Sequence, residues 1–133
     1  MQTPFNETSP ALSPDERWLA YASDRSGRFE VYVEALTGDG TVWPVSSDGG
    51  DLPQWRSDGR ELFFVAPPDR VMAVSVSPGE NVRTSAPAEL FRAHFGDYST
   101  YAVLPDGQRF IAHLSEDRNL RQPLTVISDW RPR

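Results

Sequence analysis

Two histidines and one aspartate are the residues of this chain that could together hold a metal ion. His94, Asp97 and His113 each offer a metal-binding atom. Zinc sites usually take a third nitrogen or a thiolate, and the sequence has no other histidine and no cysteine. We therefore expect no metal ion and no other cofactor, and we expect His113 to make an ordinary polar contact beside an apolar run.

An acidic, glycine-containing segment offers a second group of possible ligands. Ser46-Ser47-Asp48-Gly49-Gly50-Asp51 supplies carboxylates and carbonyls that could coordinate calcium. The ligand spacing of an EF-hand, with its distal glutamate, is absent. Aspartate and glycine in this order are typical of a turn that leads into a strand, so we expect a turn here.

The sequence carries no recognisable catalytic motif. It has no Gly-x-Ser-x-Gly elbow for a nucleophilic serine and no Gly-Lys-Ser/Thr phosphate loop. The absence of cysteine excludes thiol catalysis and disulfides. We expect no catalytic residues and no enzyme activity in this chain.

Composition limits the partners that the chain can have. Nineteen acidic residues against 13 arginines give a net charge of −6, which repels a phosphate backbone. No apolar run approaches the roughly 20 residues that a membrane-spanning helix needs. We therefore expect no nucleic-acid partner and no membrane contact by this segment.

An internal repeat organises the chain. Asp15, Asp58 and Asp106 each lie in a tight turn followed by an aromatic or branched run, and they are 43 and 48 residues apart. Aspartate and glycine tolerate the positive φ of tight hairpins, although Glu16 replaces the glycine of the other two turns. The first turn should therefore differ in type or carry strain. A period of about 40 to 50 residues with strand signals indicates propeller blades.

Further strand signals flank each hairpin. Outer strands are predicted at 29–33, 71–76 and 124–127, and inner strands at 3–5, 42–45 and 89–92. The predicted fold is all-β, with about three four-stranded antiparallel blades that form a partial propeller over residues 1–133. The blades are placed at about 2–37, 41–77 and 86–130.

The first unit resembles the repeat of the TolB-like β-propellers. The matching residues are Ser13-Pro14-Asp15, Ser23-Asp24-Arg25-Ser26-Gly27 and Glu30-Val31-Tyr32-Val33. The second unit keeps Ser57-Asp58-Gly59, and the third keeps Pro105-Asp106-Gly107. The segment Pro123 to Trp130 is similar to the close of propellers appended to bacterial serine/threonine protein kinases. The resemblance implies a bacterial protein, with a periplasmic or extracytoplasmic location favoured over the cytoplasm.

Three blades make an incomplete ring, because each blade buries its apolar faces only against two neighbours. At about 25 cal/mol per Å² of apolar surface, an open face of several hundred Å² would forfeit on the order of 10 kcal/mol. We therefore predict a homo-oligomer, a dimer that closes a six-bladed ring. The predicted edges between chains are at Thr3, Phe5, Val126 and Trp130.

The predicted function is binding or scaffolding, with a protein or peptide as a possible ligand. Tyr98 and Tyr101 are the candidate ligand-facing residues, because the strand pattern constrains them least. Asp24 and Arg25 are expected to brace adjacent strands. The alternative is an accessory sensor or gating propeller of a larger enzyme, a serine/threonine kinase or a prolyl-oligopeptidase-type peptidase.

Overall fold

The computed structural model describes residues 5–36, 40–67, 70–77, 83–92, 101–103, 110–112 and 125–127. Within these ranges the regular structure consists only of β-strands. The twelve strands are β1 (Glu7–Leu12), β2 (Trp18–Ser23), β3 (Glu30–Ala35), β4 (Val42–Pro44), β5 (Asp51–Trp55), β6 (Glu61–Ala66), β7 (Arg70–Ser77), β8 (Arg83–Thr84), β9 (Ala88–Arg92), β10 (Tyr101–Val103), β11 (Phe110–Ala112) and β12 (Thr125–Ile127).

The strands form three successive antiparallel sheets. Sheet 1 has the order β1-β2-β3-β4, and sheet 3 has the order β10-β11-β12. Sheet 2 runs β5-β6-β7, after which β9 pairs along one part of β7 and the two-residue β8 pairs with its end. The chain therefore builds one meander after another, and this confirms the predicted all-β antiparallel fold: sheet 1 has four strands, sheet 2 has five because both β8 and β9 pair with β7, and the described part of sheet 3 has three.

The backbone repeats the 43-residue period of the sequence. The first strands of sheets 1 and 2 carry bulges at equivalent places, where Ser9 and Leu52 have φ of 54° and 53°. Glu16 and Gly59 occupy the same turn position with φ of 62° and 73°. Of the two outcomes expected for the Glu16 turn, a different type or strain, the structure has the second: a residue with a Cβ holds a conformation that favours glycine.

Sheet pairing corrects the predicted inner strands. Val42–Pro44 pairs with β3 and Ala88–Arg92 pairs with β7, so each run closes the sheet before it rather than opening the next one. Each described sheet instead opens with the strand directly before its hairpin, such as Glu7–Leu12. Phe5 lies outside the strands, and residues 3 and 4 lie outside the described ranges. Sheets 1 and 2 therefore begin and end one strand later in the chain than the predicted blades.

Sheets 1 and 2 pack face to face. Strand alternation points Trp18, Ala20 and Val31 of sheet 1 toward Leu62 and Phe64 of sheet 2, and all five are buried. At about 25 cal/mol per Å², the branched and aromatic side chains Val31, Leu62 and Phe64 contribute roughly 1.5–3 kcal/mol each when fully buried. This interface is the main core of the described structure.

Side chains also link the first strands of successive sheets. The indole Nε1 of Trp55 on β5 donates to the carbonyl of Ala11 on β1 at 2.9 Å. On the other side, Gln54 donates through Nε2 to Tyr101 O and accepts at Oε1 from Val103 N at 3.1 Å. A second apolar cluster, centred on Phe63 and Tyr101, fills the space between sheets 2 and 3. The three sheets thus stack in chain order, with their first strands adjacent.

Candidate functional site

Three connections meet at one end of sheets 1 and 2. They are the β2–β3 turn, the β4–β5 loop and the β6–β7 turn. Arg28 in the first connection donates from Nη2 to the carbonyl of Ser47 in the second at 2.8 Å. Gly49 in the second lies so close to the third that an added Cβ would be 2.7 Å from Cδ of Pro67. Converging loops on a rigid scaffold are where binding residues usually lie.

A buried carboxylate organises this loop end. Glu30, the first residue of β3, is buried and accepts from Ser46 Oγ at 2.6 Å and from Gly49 N at 2.5 Å. Arg28 Nε donates to the same carboxylate at 2.9 Å. A buried charge is tolerated only when it is paired and hydrogen-bonded, and these three donors meet that requirement. Glu30 therefore fixes the path of the β4–β5 loop.

The two glycines of this loop are required by close packing. An added Cβ on Gly50 would lie 2.7 Å from Ser46 Oγ and 3.1 Å from a ring carbon of Phe64. An added Cβ on Gly49 would likewise overlap Pro67, and its backbone φ of +86° lies in the region that favours glycine. The Ser46–Asp51 segment is thus a packed loop held by Glu30. Its Asp48 carboxylate faces two arginines instead of converging with other carboxylates.

Between the two sheets at this end lies a small cavity, which we call the Arg70 cleft. Its volume is about 170 Å³. Its lining combines buried apolar side chains with polar residues of the β4–β5 loop and Arg70, and consists of Ser46, Ser47, Asp48, Gly49, Phe64, Ala66, Arg70, Met72 and Pro87. An apolar cavity with a few polar groups is the usual form of a small-molecule site.

A second cavity lies at the opposite end of the sheets, between the two equivalent tight turns. Its volume is about 370 Å³, and it includes Asp15, Asp58 and Arg60. A hydrogen bond from Ser13 Oγ lowers the pKa of Asp15, and the Arg56 guanidinium lowers the pKa of Asp58 to about 2. Both carboxyl groups are therefore ionised at neutral pH and already bonded within their own turns, which leaves neither suited to be a general acid.

The third candidate surface is the free face of sheet 1, which is the face turned away from sheet 2. Arg25 covers its centre, with the guanidinium carbon 4.6 Å from the ring centroid of Tyr32 and 5.6 Å from that of Tyr21. Arg25 Nη2 donates to the Tyr21 hydroxyl at 2.8 Å and to Glu7 at 3.1 Å. Burial raises the pKa of Tyr21, so this phenol stays protonated at neutral pH.

The residues predicted to brace strands do so. Both carboxylate oxygens of Asp24 accept hydrogen bonds from Asn6, one from its backbone N at 2.9 Å and one from its side chain at 2.8 Å. Arg25 ties the β2–β3 turn to β1 through Glu7. This confirms the structural role expected for Asp24 and Arg25.

Tyr101 is not ligand-facing. Its side chain is 3% exposed, and its hydroxyl donates to the carbonyl of Leu52 at 2.7 Å. Burial raises its pKa well above the usual value, so the phenol remains a neutral donor. The physical reason for this correction is that Tyr101 fills the contact between sheets 2 and 3, where a bulky ring with a polar tip finds an acceptor.

The other predicted site residues are only partly described. Phe5 is 45% exposed and lies before β1. Val126 is the central residue of β12 and pairs with Ile111. Thr3, His94, Asp97, Tyr98, His113 and Trp130 lie outside the described residues.

Among the residues that the structure describes, no three acidic or histidine side chains cluster closely enough to hold a metal ion. The same described residues include no helix that is long and apolar enough to cross a membrane. The sequence pattern did not predict that Glu30 holds the β4–β5 loop or that Arg70 lines a cavity beside it. An acidic residue opening a strand, followed by serine and paired glycines in the next loop, is the signal that could have found Glu30.

No family model and no curated protein matches this sequence. Solved structures do match. The chain superposes on TolB from Acinetobacter baumannii with a TM-score of 0.70 and 22% identity, covering 97% of this chain and 31% of that one. The fold is that of a TolB-like β-propeller.

Two further structures agree on the TolB-like fold. A protein proposed to be TolB, from Agrobacterium tumefaciens, gives a TM-score of 0.63 at 17% identity, covering 97% of this chain and 47% of that one. An oligogalacturonate lyase from Vibrio parahaemolyticus gives 0.59 at 17% identity, covering 86% and 32%. The chain thus spans between 31% and 47% of the length of these structures. Because one of them is a lyase, the TolB-like fold by itself does not decide between binding and catalysis.

Proposed function

We propose that this chain is a non-catalytic binding and scaffolding segment of a TolB-like β-propeller, and that it completes a six-bladed ring by pairing head to tail with a second copy. The observation that carries the proposal is the free face of sheet 1. The equivalent face of sheet 2 is buried against sheet 1. Because the sheets stack in one direction, the same contact repeated would place another sheet on the free face.

Equivalent positions allow the two faces to be compared directly. Leu62, Phe64 and Ala66 lie on the face of β6 that packs against sheet 1. Forty-three residues earlier, β2 presents Leu19, Tyr21 and Ser23 on the free face. The outer rows of the free face are apolar and open to solvent: Leu12 is 48% exposed and Leu36 is 45% exposed.

The centre of the free face is more polar than its counterpart on sheet 2. Arg25, Glu7 and the two tyrosines already bury one another there. The apolar surface left to bury is therefore smaller than on a bare blade face, which favours a contact that forms and dissociates with concentration. The polar groups at the centre of the free face also make the contact specific, because only a partner surface with matching hydrogen-bonding groups can pack against them.

The experiment is sedimentation velocity of the full chain over a range of concentrations. Leu12→Lys places a charge in the exposed apolar row and should shift the population from dimer to monomer. Ser77→Lys adds the same charge at an exposed position at the end of β7 and should leave the mass unchanged. A wild-type chain that stays a monomer at high micromolar concentration, or equal effects of the two substitutions, would count against ring closure by self-association.

A second candidate is favoured by the coverage of the solved structures. Since the chain spans only 31% to 47% of the two TolB structures, the missing blades could come from the same polypeptide in a longer parent. The segment would then be an accessory sensor or gating propeller beside a kinase or peptidase domain. The parent reading frame distinguishes the two candidates, since this second one requires further blades and an enzyme domain on the same chain.

A further inference from the structure

The Arg70 cleft contains a cation that the fold does not fully use. The Arg70 side chain is only 17% exposed, and it donates from Nε at 2.9 Å and from Nη2 at 2.5 Å to the carbonyl of Pro67. Within the described part of the chain, its Nη1 makes no hydrogen bond. A mostly buried guanidinium with an open donor at the mouth of a cavity can bind an anion.

A second guanidinium faces the same point from sheet 1. Arg28 is fixed by Glu30 and by the Ser47 carbonyl, and its Nη2 lies 3.7 Å from Asp48 Oδ1. Arg70 Nη2 lies 3.4 Å from Asp48 Oδ2. The two arginines, one from each sheet, therefore address a single carboxylate between them.

Asp48 holds that position loosely. Both distances are long for charge-assisted hydrogen bonds, which are about 2.7–2.9 Å. The Asp48 side chain is 80% exposed, and exposed ion pairs of this kind contribute little to stability. An external carboxylate could therefore replace Asp48 without a large cost.

The size and apolar lining of the cleft limit which group can be attached to such a carboxylate. Its lining of Phe64, Ala66, Met72 and Pro87 is apolar. The volume of about 170 Å³ is below the roughly 300 Å³ of ordinary small-molecule pockets. Only a short aliphatic group fits.

We propose that the Arg70 cleft binds a carboxylate with a short, branched aliphatic tail. The carboxylate displaces Asp48 and pairs with Arg70 and Arg28, while the tail lies on Phe64 and Met72. The C-terminus of a peptide that ends in an aliphatic residue and a free short-chain acid share this chemistry. Every residue involved comes from sheets 1 and 2 of one chain, so this inference does not depend on ring closure.

The test is a chemical-shift titration of the full-length chain with two probes. N-acetyl-leucine represents a peptide terminus and isovalerate represents a free acid, each matched by its neutral amide. Both acids should shift the backbone N–H resonances of the β4–β5 loop at millimolar concentration. The neutral amide forms of the two probes should leave those resonances unchanged. Tighter binding of N-acetyl-leucine assigns the site to peptide termini, and tighter binding of isovalerate assigns it to free acids.

Three variants identify the groups responsible. Asp48→Asn removes the internal competitor and should tighten binding of the preferred acid about fivefold. Arg70→Gln should weaken it at least tenfold, whereas Arg60→Gln, the same charge change at an exposed turn, should not alter it. The proposal is overturned if neither acid binds, if the amides bind as well, or if Asp48→Asn fails to tighten binding. Since ring closure is judged by mass alone, the two proposals can fail separately.

Discussion

Glu16 and Gly59 provide a matched pair for testing whether the two tight turns are equivalent. They occupy the same turn position, 43 residues apart, with φ of 62° and 73°. Glu16 is exposed, and an added Cβ on Gly59 would meet only Pro14 Cδ at an ordinary 3.6 Å. Substitutions at either position therefore change backbone strain and little else.

The expected magnitudes follow from that strain. A residue with a Cβ is destabilised by about 1–2 kcal/mol in the left-handed region. Glycine there avoids this strain but loses roughly 0.5–1 kcal/mol of folding free energy, because its unfolded chain has more conformational freedom. Glu16→Gly should therefore stabilise the protein by about 0.5–1 kcal/mol, and Gly59→Ala should destabilise it by a similar amount. For a chain of this size, that corresponds to a shift in Tm of about 2–5 °C in opposite directions.

The assay is thermal and urea unfolding at one fixed protein concentration, because association would otherwise change the apparent stability. Glu16→Ala is the control: it removes the same charge but keeps the Cβ, so it should give no gain. A gain with alanine equal to that with glycine would assign the effect to charge. If neither Glu16→Gly nor Gly59→Ala changes the free energy of unfolding, the inference that backbone strain is stored in this turn is refuted.

Three further substitutions test the loop, the far turn and the contact between sheets 2 and 3. Gly50→Ala should destabilise the fold by about 1–3 kcal/mol, measured by urea unfolding, because its Cβ would overlap Ser46; an unchanged midpoint would contradict the packing described. The pKa of Asp58 is lowered from 3.8 to about 2 in the folded state, so its ionised form stabilises the fold above about pH 4 and that contribution disappears as the pH falls through 2. Asp58→Asn should flatten this part of the stability–pH curve, and an identical curve would refute the assignment. Tyr101→Phe leaves the Leu52 carbonyl without its donor and should cost about 1 kcal/mol, while a neutral result would mean that water replaces the hydroxyl.

The repeat could be predicted from the sequence because its strongest signals are local. The aspartate turns at Asp15 and Asp58 and the buried strands that follow them are found where the sequence places them. The strand before the first turn was missed because Glu7–Leu12 contains Ser9 and Pro10, which suit a bulge and weaken a strand signal. Such a bulge is a property of pairing that a single strand does not reveal.

Assignment of strands to sheets could not be derived from the chain alone. Val42–Pro44 lies between two hairpins and could pair with either, and only the register with β3 decides. The candidate site depends on the same information. Glu30 and Arg70 are ordinary charged residues at strand ends until packing places them on either side of the β4–β5 loop. Tyr101 likewise gave no sign of burial, because its acceptor, Leu52, is 49 residues away.

The most direct test of the central claim is the solution mass of the unmodified chain by sedimentation equilibrium. Face-to-face stacking of two three-bladed chains into one ring predicts a particle of twice the 14.9 kDa chain mass at micromolar concentration, dissociating on dilution. A single species of 14.9 kDa that remains folded and monodisperse at the highest concentration reached would contradict it.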